Sequence, residues 1–382
     1  MLEEFLNAKP LFYDEIDCTR MPRIYESIKE KLQLPKIIHL IGTNGKGTTG
    51  RFLASAFYAQ GFNTGHYTSP HIMNFNERIW LNAKNVSDDL LNAAHEKLLL
   101  LLRKEDAEAL SYFEYTTLLA MLIYEECDYV VLEAGLGGEY DATAVFENIL
   151  TVVTPIGFDH EAFLGSNIQA IAQTKLNAAK QKILLGRQLH KEVYEIAQNI
   201  ADEKGLTLRS YTELLNEEDH KKSALIAKNN HLADYLQENL KLSIAALHIL
   251  GLAYKVEDFD NAKLFGRLSQ LSENILLDVG HNTLAAEAIA KALEGKKYRL
   301  IYNSYKDKNY VDILRILFPI ISEVELIEVK EERIEDAKKI EKAIEELGLA
   351  YKQFDTIEAD EKYLVFGSFS VAEAFLKKYT HG

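Results

Sequence analysis

The sequence predicts an α/β fold with a mostly parallel sheet, and three observations support this prediction. Short apolar runs alternate with longer runs of helical spacing through most of the 382 residues. The early apolar runs lead into glycine, serine, glutamate or proline, as expected where parallel strands end in ligand-facing loops. The same alternation resumes in the last third of the chain, which together with the length predicts a second domain.

The strands and helices can be placed in chain order. In the first half, buried strands are predicted at residues 36–41, 64–68, 129–132 and 149–154. Helices are predicted at residues 50–60, 115–125 and 231–250, with weaker strands and a helix in residues 183–230. The second series has strands at residues 275–278, 299–302, 323–329, 351–354 and 363–366, and the Glu/Lys-rich residues 330–346 predict a solvated helix face. A connection near residues 258–270 divides the chain into domains 1–264 and 265–382.

Composition narrows the class of protein. The net charge of -15 argues against a broad nucleic-acid footprint, which needs a basic face. The leucine run 98–102 is too short to span a membrane and predicts the buried face of a helix. The first residues lack a signal peptide, and Cys18 and Cys127 are two separated thiols. We therefore expect a cytoplasmic protein that binds neither nucleic acid nor membrane.

The segment 37–49 carries the strongest functional signal. An apolar run leads into Gly42, Gly45 and Gly47 around Lys46, and a helical stretch follows. Glycines allow backbone N–H groups to approach phosphate oxygens, and the helix start adds positive charge. Lys46 can neutralise outer phosphates, and Thr48 or Thr49 can place a hydroxyl on Mg²⁺. The segment departs from the common nucleotide loop, because position 40 is leucine and Gly47 follows the lysine directly.

Three further loops follow predicted strands. Ser69 can offer a hydroxyl to Mg²⁺, and Glu133 closes an apolar strand before a glycine-rich turn. His160 ends the third segment, with Lys175 fifteen residues later. Each signal also fits an ordinary structural residue, but parallel strands bring their carboxyl ends to one edge. Together the loops predict a Mg²⁺-nucleotide site for phosphoryl transfer.

The chain resembles the folylpolyglutamate synthase/dihydrofolate synthase family of the Mur ligase superfamily. The resemblance rests on motifs found in family order, namely Gly42-Thr43-Asn44-Gly45-Lys46-Gly47-Thr48, Thr68-Ser69-Pro70-His71, Glu77-Arg78-Ile79, Gly135-Leu136-Gly137-Gly138, Asp141-Ala142-Thr143, Asp159-His160, Phe265-Gly266-Arg267-Leu268, Asp278-Val279-Gly280-His281-Asn282, Asp307-Lys308 and Gly367-Ser368-Phe369. It implies a P-loop ATPase-like N-terminal domain and a smaller Rossmann-like C-terminal domain, with the active site in the cleft.

The activity implied by this resemblance is ATP-driven amide bond formation. A carboxylate attacks the γ-phosphate of ATP to give an acyl phosphate, and the amino group of L-glutamate then displaces phosphate. The acceptor is dihydropteroate, or a folate whose glutamate tail is lengthened through its γ-carboxylate. The implied cofactors are Mg²⁺, as two ions, and a carbamate on Lys175, and the implied state is a monomer.

The resemblance also assigns residues to roles. It implies catalytic roles for Lys46, His160 and Lys175, and metal binding by Ser69, Glu133 and His160. The implied ATP-binding residues are Asn44, Gly45, Lys46, Gly47, Thr48, Asn239, Arg267, Asp278 and His281. The implied pteroate-binding residues are Phe113, Glu114, Tyr115, Thr116, Tyr140, Asp141 and Ala142.

Some positions depart from the family pattern. Glu139 stands where a basic residue is common, Ala144 replaces an asparagine, and Thr174, Leu176 and Asn177 surround Lys175. Two alternatives stay open beside the folate ligase. One is a Mur-type amino acid ligase acting on a UDP-sugar peptide, which would carry an extra N-terminal domain; the other is a P-loop kinase or nucleotide-binding regulator.

Overall fold

A computed structural model describes residues 1–9, 17–159, 161–260 and 262–381. The chain divides into two compact units. The first comprises Met1–Leu232 with Leu236–Lys263, and the second comprises Ala233–Tyr235 with the residues from Leu264 onward.

The first unit is built on an eight-stranded sheet. Its strands are β1 Lys36–Ile41, β2 Thr64–Tyr67, β3 Ile79–Leu81, β4 Lys84–Asn85, β5 Tyr129–Glu133, β6 Leu150–Val153, β7 Lys182–Leu185 and β8 Thr207–Ser210. Their spatial order is β4-β3-β2-β5-β1-β6-β7-β8. The pairs β2–β3 and β3–β4 are antiparallel, and the other pairs are parallel.

Helices flank this sheet. They are α1 Leu2–Asn7, α2 Arg20–Ile28, α3 Lys46–Ala59, α4 Asp88–Leu101, α5 Lys104–Ala109, α6 Tyr112–Ile123, α7 Glu161–Leu164, α8 Ile168–Leu176, α9 Lys191–Lys204, α10 Tyr211–Leu214, α11 Glu217–Asn229 and α12 Asp234–Ile249. The apolar residues of central strand β1 are almost completely buried because both sheet faces are covered. Leu40 pairs with Glu133 and Ile41 with Val153, so the strand ends that carry the candidate loops lie side by side.

The second unit contains a six-stranded sheet. Its strands are β9 Ser269–Ser272, β10 Ile275–Leu277, β11 Tyr298–Tyr302, β12 Ile321–Leu326, β13 Tyr351–Gln353 and β14 Tyr363–Phe366, in the order β13-β12-β11-β14-β10-β9. Only the β9–β10 pairing in this sheet is antiparallel. The helices are α13 Thr283–Ala292, α14 Tyr310–Leu317, α15 Ala337–Glu346 and α16 Phe369–His381. The predicted α/β class with mostly parallel sheets is confirmed.

Two local predictions were wrong. Leu98 is buried but Leu99 and Leu100 are 40% and 87% exposed, because successive helical residues turn away from the face that packs. The charged run 330–346 is helical only from Ala337, where Asp336 caps the helix start through its side chain. Among the described residues, no helix is long and apolar enough to cross a membrane.

Candidate functional site

The glycine-rich loop lies between β1 and α3, as predicted. Gly42 and Gly45 have φ angles of 139° and 90°, which favour glycine. The amide N–H groups of Thr43 and Asn44 donate to the Pro155 carbonyl at 2.9 and 3.4 Å. The Thr43 hydroxyl exchanges hydrogen bonds with both backbone groups of Gly157, each at 3.0 Å. The loop that follows β6 therefore fixes the shape of the loop that follows β1.

Lys46 lies at the first position of α3 and folds back over the loop. Its Nζ donates to the carbonyl oxygens of Gly42 and Thr43 at 3.1 and 3.3 Å, and lies 3.9 Å from Glu133 Oε1. The ammonium group thus sits at the carboxyl edge of the sheet, where it can meet an anionic ligand.

Thr48 and Thr49 are almost completely buried on the first turns of α3. Neither hydroxyl has a hydrogen-bond partner within the part of the chain that is described. An unsatisfied buried hydroxyl costs about 1–3 kcal/mol, so an orphaned one beside a phosphate-type loop points to a ligand.

Glu133 ends β5 next to β1 and is buried. It accepts a very short hydrogen bond from the hydroxyl of Thr68, which follows β2 directly. Ser69 comes next in the same loop and is half-buried. Hydroxyl and carboxylate oxygens suit Mg²⁺, so Thr48, Ser69 and Glu133 each offer an oxygen donor of the right chemistry. His160 lies outside the described residues.

Lys175 belongs to the last turn of α8, and only 4% of its surface is exposed. Its Nζ donates to the Gly42 carbonyl at 3.2 Å, the same oxygen that Lys46 contacts. Burial lowers the pKa of Lys175 to about 7, repulsion from Lys46 adds to this, and Asp159 and Asp141 oppose it. A fraction of this buried amine is therefore neutral near physiological pH.

This pKa shift predicts how stability changes with pH in the Lys175→Met variant. Between about pH 7 and the ordinary lysine pKa of 10.5, the unfolded chain holds a proton that the folded chain has released. The free energy of unfolding of the wild type should therefore rise relative to Lys175→Met as pH increases through this window, by up to about 1.4 kcal/mol per pH unit.

Urea denaturation in metal-free, CO₂-depleted buffer measures this difference. Lys84→Met, which removes an exposed lysine from the same compact unit, is the control for loss of one side chain of this type. A free energy of unfolding of the wild type that stays constant or falls relative to that of Lys175→Met as pH rises would contradict the prediction.

The loop 135–138 packs tightly against its surroundings. A Cβ on Gly135 would lie 2.6 Å from the Phe113 ring, and one on Gly138 would lie 2.4 Å from Lys175 Cα. The amide N–H of Glu139 donates to the Thr174 carbonyl at 2.9 Å. This loop therefore supports the end of α8 that carries Lys175.

Asp141 is buried, and its carboxylate closes the same loop. It accepts hydrogen bonds from Leu136 N at 2.8 Å, Thr143 N at 2.9 Å and Thr143 Oγ1 at 2.5 Å. Burial raises the pKa of Asp141, while these hydrogen bonds and the nearby Lys46 act in the opposite direction. Its oxygens are thus already engaged in holding the loop.

The residues matched to pteroate binding differ in their environments. Glu114 bonds to Arg20 at 2.8 Å and to the Ser111 amide at 2.7 Å, while Tyr115 and Thr116 are completely buried. Ala142 is also buried. Phe113 is half-buried and Tyr140 is 60% exposed, so these two rings offer the most accessible surface in the set.

Asn239 belongs to the first unit, and the other predicted nucleotide contacts considered next belong to the second. Asn239, on α12, lies against the glycine loop, since a Cβ on Gly45 would approach its Oδ1 to 2.6 Å. In the second unit, Asp278 accepts from Leu268 N, Tyr235 Oη and Gly280 N at 2.8 to 2.9 Å. The carboxylate therefore orders the backbone on both sides of β10.

Phe369 links the other two predicted nucleotide residues of the second unit. The Arg267 guanidinium lies 5.4 Å from the centre of the Phe369 ring, and its Nη1 donates to the Gly266 carbonyl at 3.1 Å. His281 packs against the same ring, with centroids 6.4 Å apart.

Three residues that shape the site were not predicted from the motifs. Thr68 directly follows strand β2, and Thr143 lies two residues after the buried Asp141. Their places in the quoted motifs were the only sequence signal for these roles. Gln188 lies in no motif, yet its buried amide donates to the carbonyls of Thr154 and Gly186 and accepts from Ile156 N. Gln188 thereby fixes the loop after β6, which in turn contacts the glycine-rich loop. Only the three-dimensional structure reveals this role.

Comparison with known proteins gives a consistent result. A crystal structure of Helicobacter pylori folylpolyglutamate synthetase is 40% identical, with a TM-score of 0.81 over 100% of this chain and 98% of the other. Dihydrofolate synthase/folylpolyglutamate synthase of Haemophilus influenzae is 29% identical over 338 residues, covering 78% of this chain and 76% of the relative.

A third similar protein shows the same fold with bound ligands. The bifunctional folylpolyglutamate synthase/dihydrofolate synthase of Yersinia pestis, complexed with AMPPNP and a manganese ion, has a TM-score of 0.82 at 22% identity. The similarity covers 100% of this chain and 97% of that one. No family model matches the sequence.

Proposed function

This chain belongs to the folylpolyglutamate synthase/dihydrofolate synthase family of ATP-dependent ligases that add glutamate to folates, and from that membership we propose how its residues divide the work. It is an ATP-dependent ligase. The observation that carries the residue-level proposal is the convergence of Lys46 and Lys175 on the Gly42 carbonyl, beside orphaned hydroxyls at the start of α3.

The glycine loop binds the ATP phosphates in this proposal. Backbone N–H groups at Gly45 and Gly47 would face the phosphate oxygens at the helix start, and Asn44, whose own N–H donates to Pro155, would contribute its side-chain amide. Lys46 leaves the loop carbonyls for the outer phosphates, where its charge offsets the repulsion between ATP and an incoming carboxylate. Asn239 covers the loop at Gly45. For the second unit, we propose nucleotide contacts by Arg267, Asp278 and His281 on the resemblance alone.

A divalent cation fits the oxygen donors described above. Thr48, Ser69 and Glu133 would hold Mg²⁺, which neutralises phosphate charge when bound. His160 is proposed as a further ligand on the resemblance alone. The family use of nucleotide and divalent metal is supported by the manganese and AMPPNP in the Yersinia pestis protein.

We extend the proposal to a second metal ion and a carbamate on Lys175. CO₂ reacts with a neutral amine, so that a bond forms between Nζ and carbon and one proton leaves. The lowered pKa of Lys175 favours this reaction near neutral pH. The resulting carboxylate would be the ligand of the second ion.

The acceptor side is proposed to involve Phe113 to Thr116 and Tyr140 to Ala142. Phe113 and Tyr140 would supply apolar surface for a flat ring, while Glu114, Tyr115, Thr116, Asp141 and Ala142 shape the wall behind them. The proposed substrates are ATP, L-glutamate and either dihydropteroate or a folate. We further propose that the chain acts as a monomer.

A substrate-dependence assay tests this function. Purified protein should release phosphate from ATP only when L-glutamate and an acceptor are both present, and mass spectrometry should show the acceptor carrying an added glutamyl group. Parallel reactions with dihydropteroate and tetrahydrofolate identify the preferred acceptor. Phosphate release without either folate-type acceptor, or with a UDP-sugar peptide in its place, would contradict the proposal.

A further inference from the structure

A buried hydrogen-bond chain connects central strand β1 to the glycine turn of residues 135–138. His39 lies on β1, three residues before Gly42, and only 1% of its surface is exposed. Its Nε2 lies 2.8 Å from Thr143 Oγ1, whose surface is also 1% exposed. Thr143 Oγ1 in turn donates to Asp141 at 2.5 Å, and Asp141 accepts from Leu136 N.

The direction of these bonds fixes the form of the imidazole. The Thr143 hydroxyl has a single proton, which it donates in the hydrogen bond to the Asp141 carboxylate. His39 Nε2 must therefore carry a proton and donate it to Thr143 Oγ1. Its Nδ1 is buried and has no hydrogen-bond partner among the described residues, so no bond to that atom favours the other tautomer.

The contacts continue from Asp141 to Lys175 and the glycine-rich loop. Asp141 holds the turn at Leu136, and the end of the same turn packs on Lys175 through Gly138 and the Glu139–Thr174 bond. Lys175 then reaches back to the Gly42 carbonyl. These contacts therefore connect His39 on β1, through the 135–138 turn and Lys175, to Gly42 directly after the same strand.

We propose that His39 is a positioning residue of the ligase reaction, which through Thr143 and Asp141 holds the 135–138 turn against Lys175. The inference rests on the proposed function, because it assumes that Lys175 and the turn lie at the reacting groups. His39 itself touches none of the proposed substrate contacts. The glycine-rich loop is held separately by Pro155 and Gly157, so breaking the hydrogen bonds between His39, Thr143 and Asp141 should leave ATP binding unchanged.

Two matched pairs of variants separate this role from simple packing. Thr143→Val removes the hydroxyl at nearly constant volume, whereas Thr143→Ser keeps it. His39→Gln places an amide donor near the position of Nε2, whereas His39→Asn places it near Nδ1 and breaks the chain. We expect Thr143→Val and His39→Asn to lower kcat about ten-fold or more, with KM for ATP changed less than about two-fold. Thr143→Ser and His39→Gln should stay within about three-fold of the wild type.

A spectroscopic measurement decides the bond direction without any activity. Long-range proton–nitrogen correlation on histidine-labelled wild-type protein should show His39 as the neutral, Nε2-protonated ring near neutral pH, with the His39→Gln spectrum assigning the signal. A Nδ1-protonated ring, or wild-type kinetics in Thr143→Val, would overturn the proposal. Absence of ligase activity in the wild type would instead refute the proposed function, while the tautomer would still show whether the hydrogen-bond chain exists.

Discussion

Replacement of Lys46 by alanine is expected to lower ATP-dependent turnover by at least about 10²–10³-fold. Lys46 is the charged group of the glycine loop, and its Nζ lies within 3.3 Å of two loop carbonyls and 3.9 Å from Glu133. In the proposed reaction it offsets the negative charge that repels the attacking carboxylate. With alanine at position 46, the negative charge of the phosphates and the carboxylate is no longer compensated in the transition state.

The fold should survive this change. The bonds that anchor the loop to Pro155 and Gly157 come from backbone groups and from Thr43, so losing the two bonds from Lys46 should change the free energy of unfolding by only about 1 kcal/mol. Steady-state phosphate release and thermal unfolding measure the two quantities. Lys84→Ala is the matched control at an exposed strand of the same unit. Wild-type turnover in Lys46→Ala would show that the loop does not bind the reacting phosphates.

Replacement of Gly42 by alanine is expected to destabilise the chain and to abolish tight nucleotide binding. A Cβ at Gly42 would lie 2.1 Å from Thr154 Oγ1 and 2.8 Å from the Thr154 carbonyl, on a backbone with φ of 139°. Left-handed strain and overpacking together should reduce the free energy of unfolding by about 2–5 kcal/mol.

Gly61→Ala is the control for this change. Gly61 also has a positive φ, of 90°, but a Cβ there would meet nothing within 4 Å. It should therefore show only the backbone term, about 1–2 kcal/mol, with nucleotide affinity unchanged. Chemical denaturation and nucleotide titration check both variants. Equal stability losses at the two glycines would show that the close approach of β1 and β6 is not what constrains Gly42.

Local patterns predicted the parts of the fold that depend on local physics. β1 was predicted with its observed bounds, and β14 likewise, because both are apolar runs followed by a glycine. The antiparallel edge formed by β3 and β4 was missed because strands of three and two residues carry too little pattern. Asp234 and Tyr235 could not be assigned to the second unit from sequence, since they begin α12, and the remainder of that helix belongs to the first unit.

In the candidate site, too, residue types could be predicted from local sequence but contacts between distant segments could not. Motifs singled out Lys46, Glu133 and Lys175, whose residue types fit phosphate and metal chemistry. They did not reveal that Lys46 and Lys175 share one carbonyl, or that Glu114 is bonded to Arg20, ninety-four residues away in sequence. Those contacts depend on strand order and on loop packing, which a single sequence does not encode in any short segment.

The bonds between the glycine loop and Pro155 have a consequence for synthesis on the ribosome. The loop is translated early, but Thr43 reaches its partner Gly157 across 114 residues. Strand β1 also has to wait for β5 and β6 before it gains a neighbour on either side. A nascent chain that stops short of residue 155 thus contains every residue of the glycine-rich loop but neither Pro155 nor Gly157, which shape it. The proposed nucleotide site is therefore formed late, because the non-local closure of the loop is entropically unfavourable until β6 has left the ribosome.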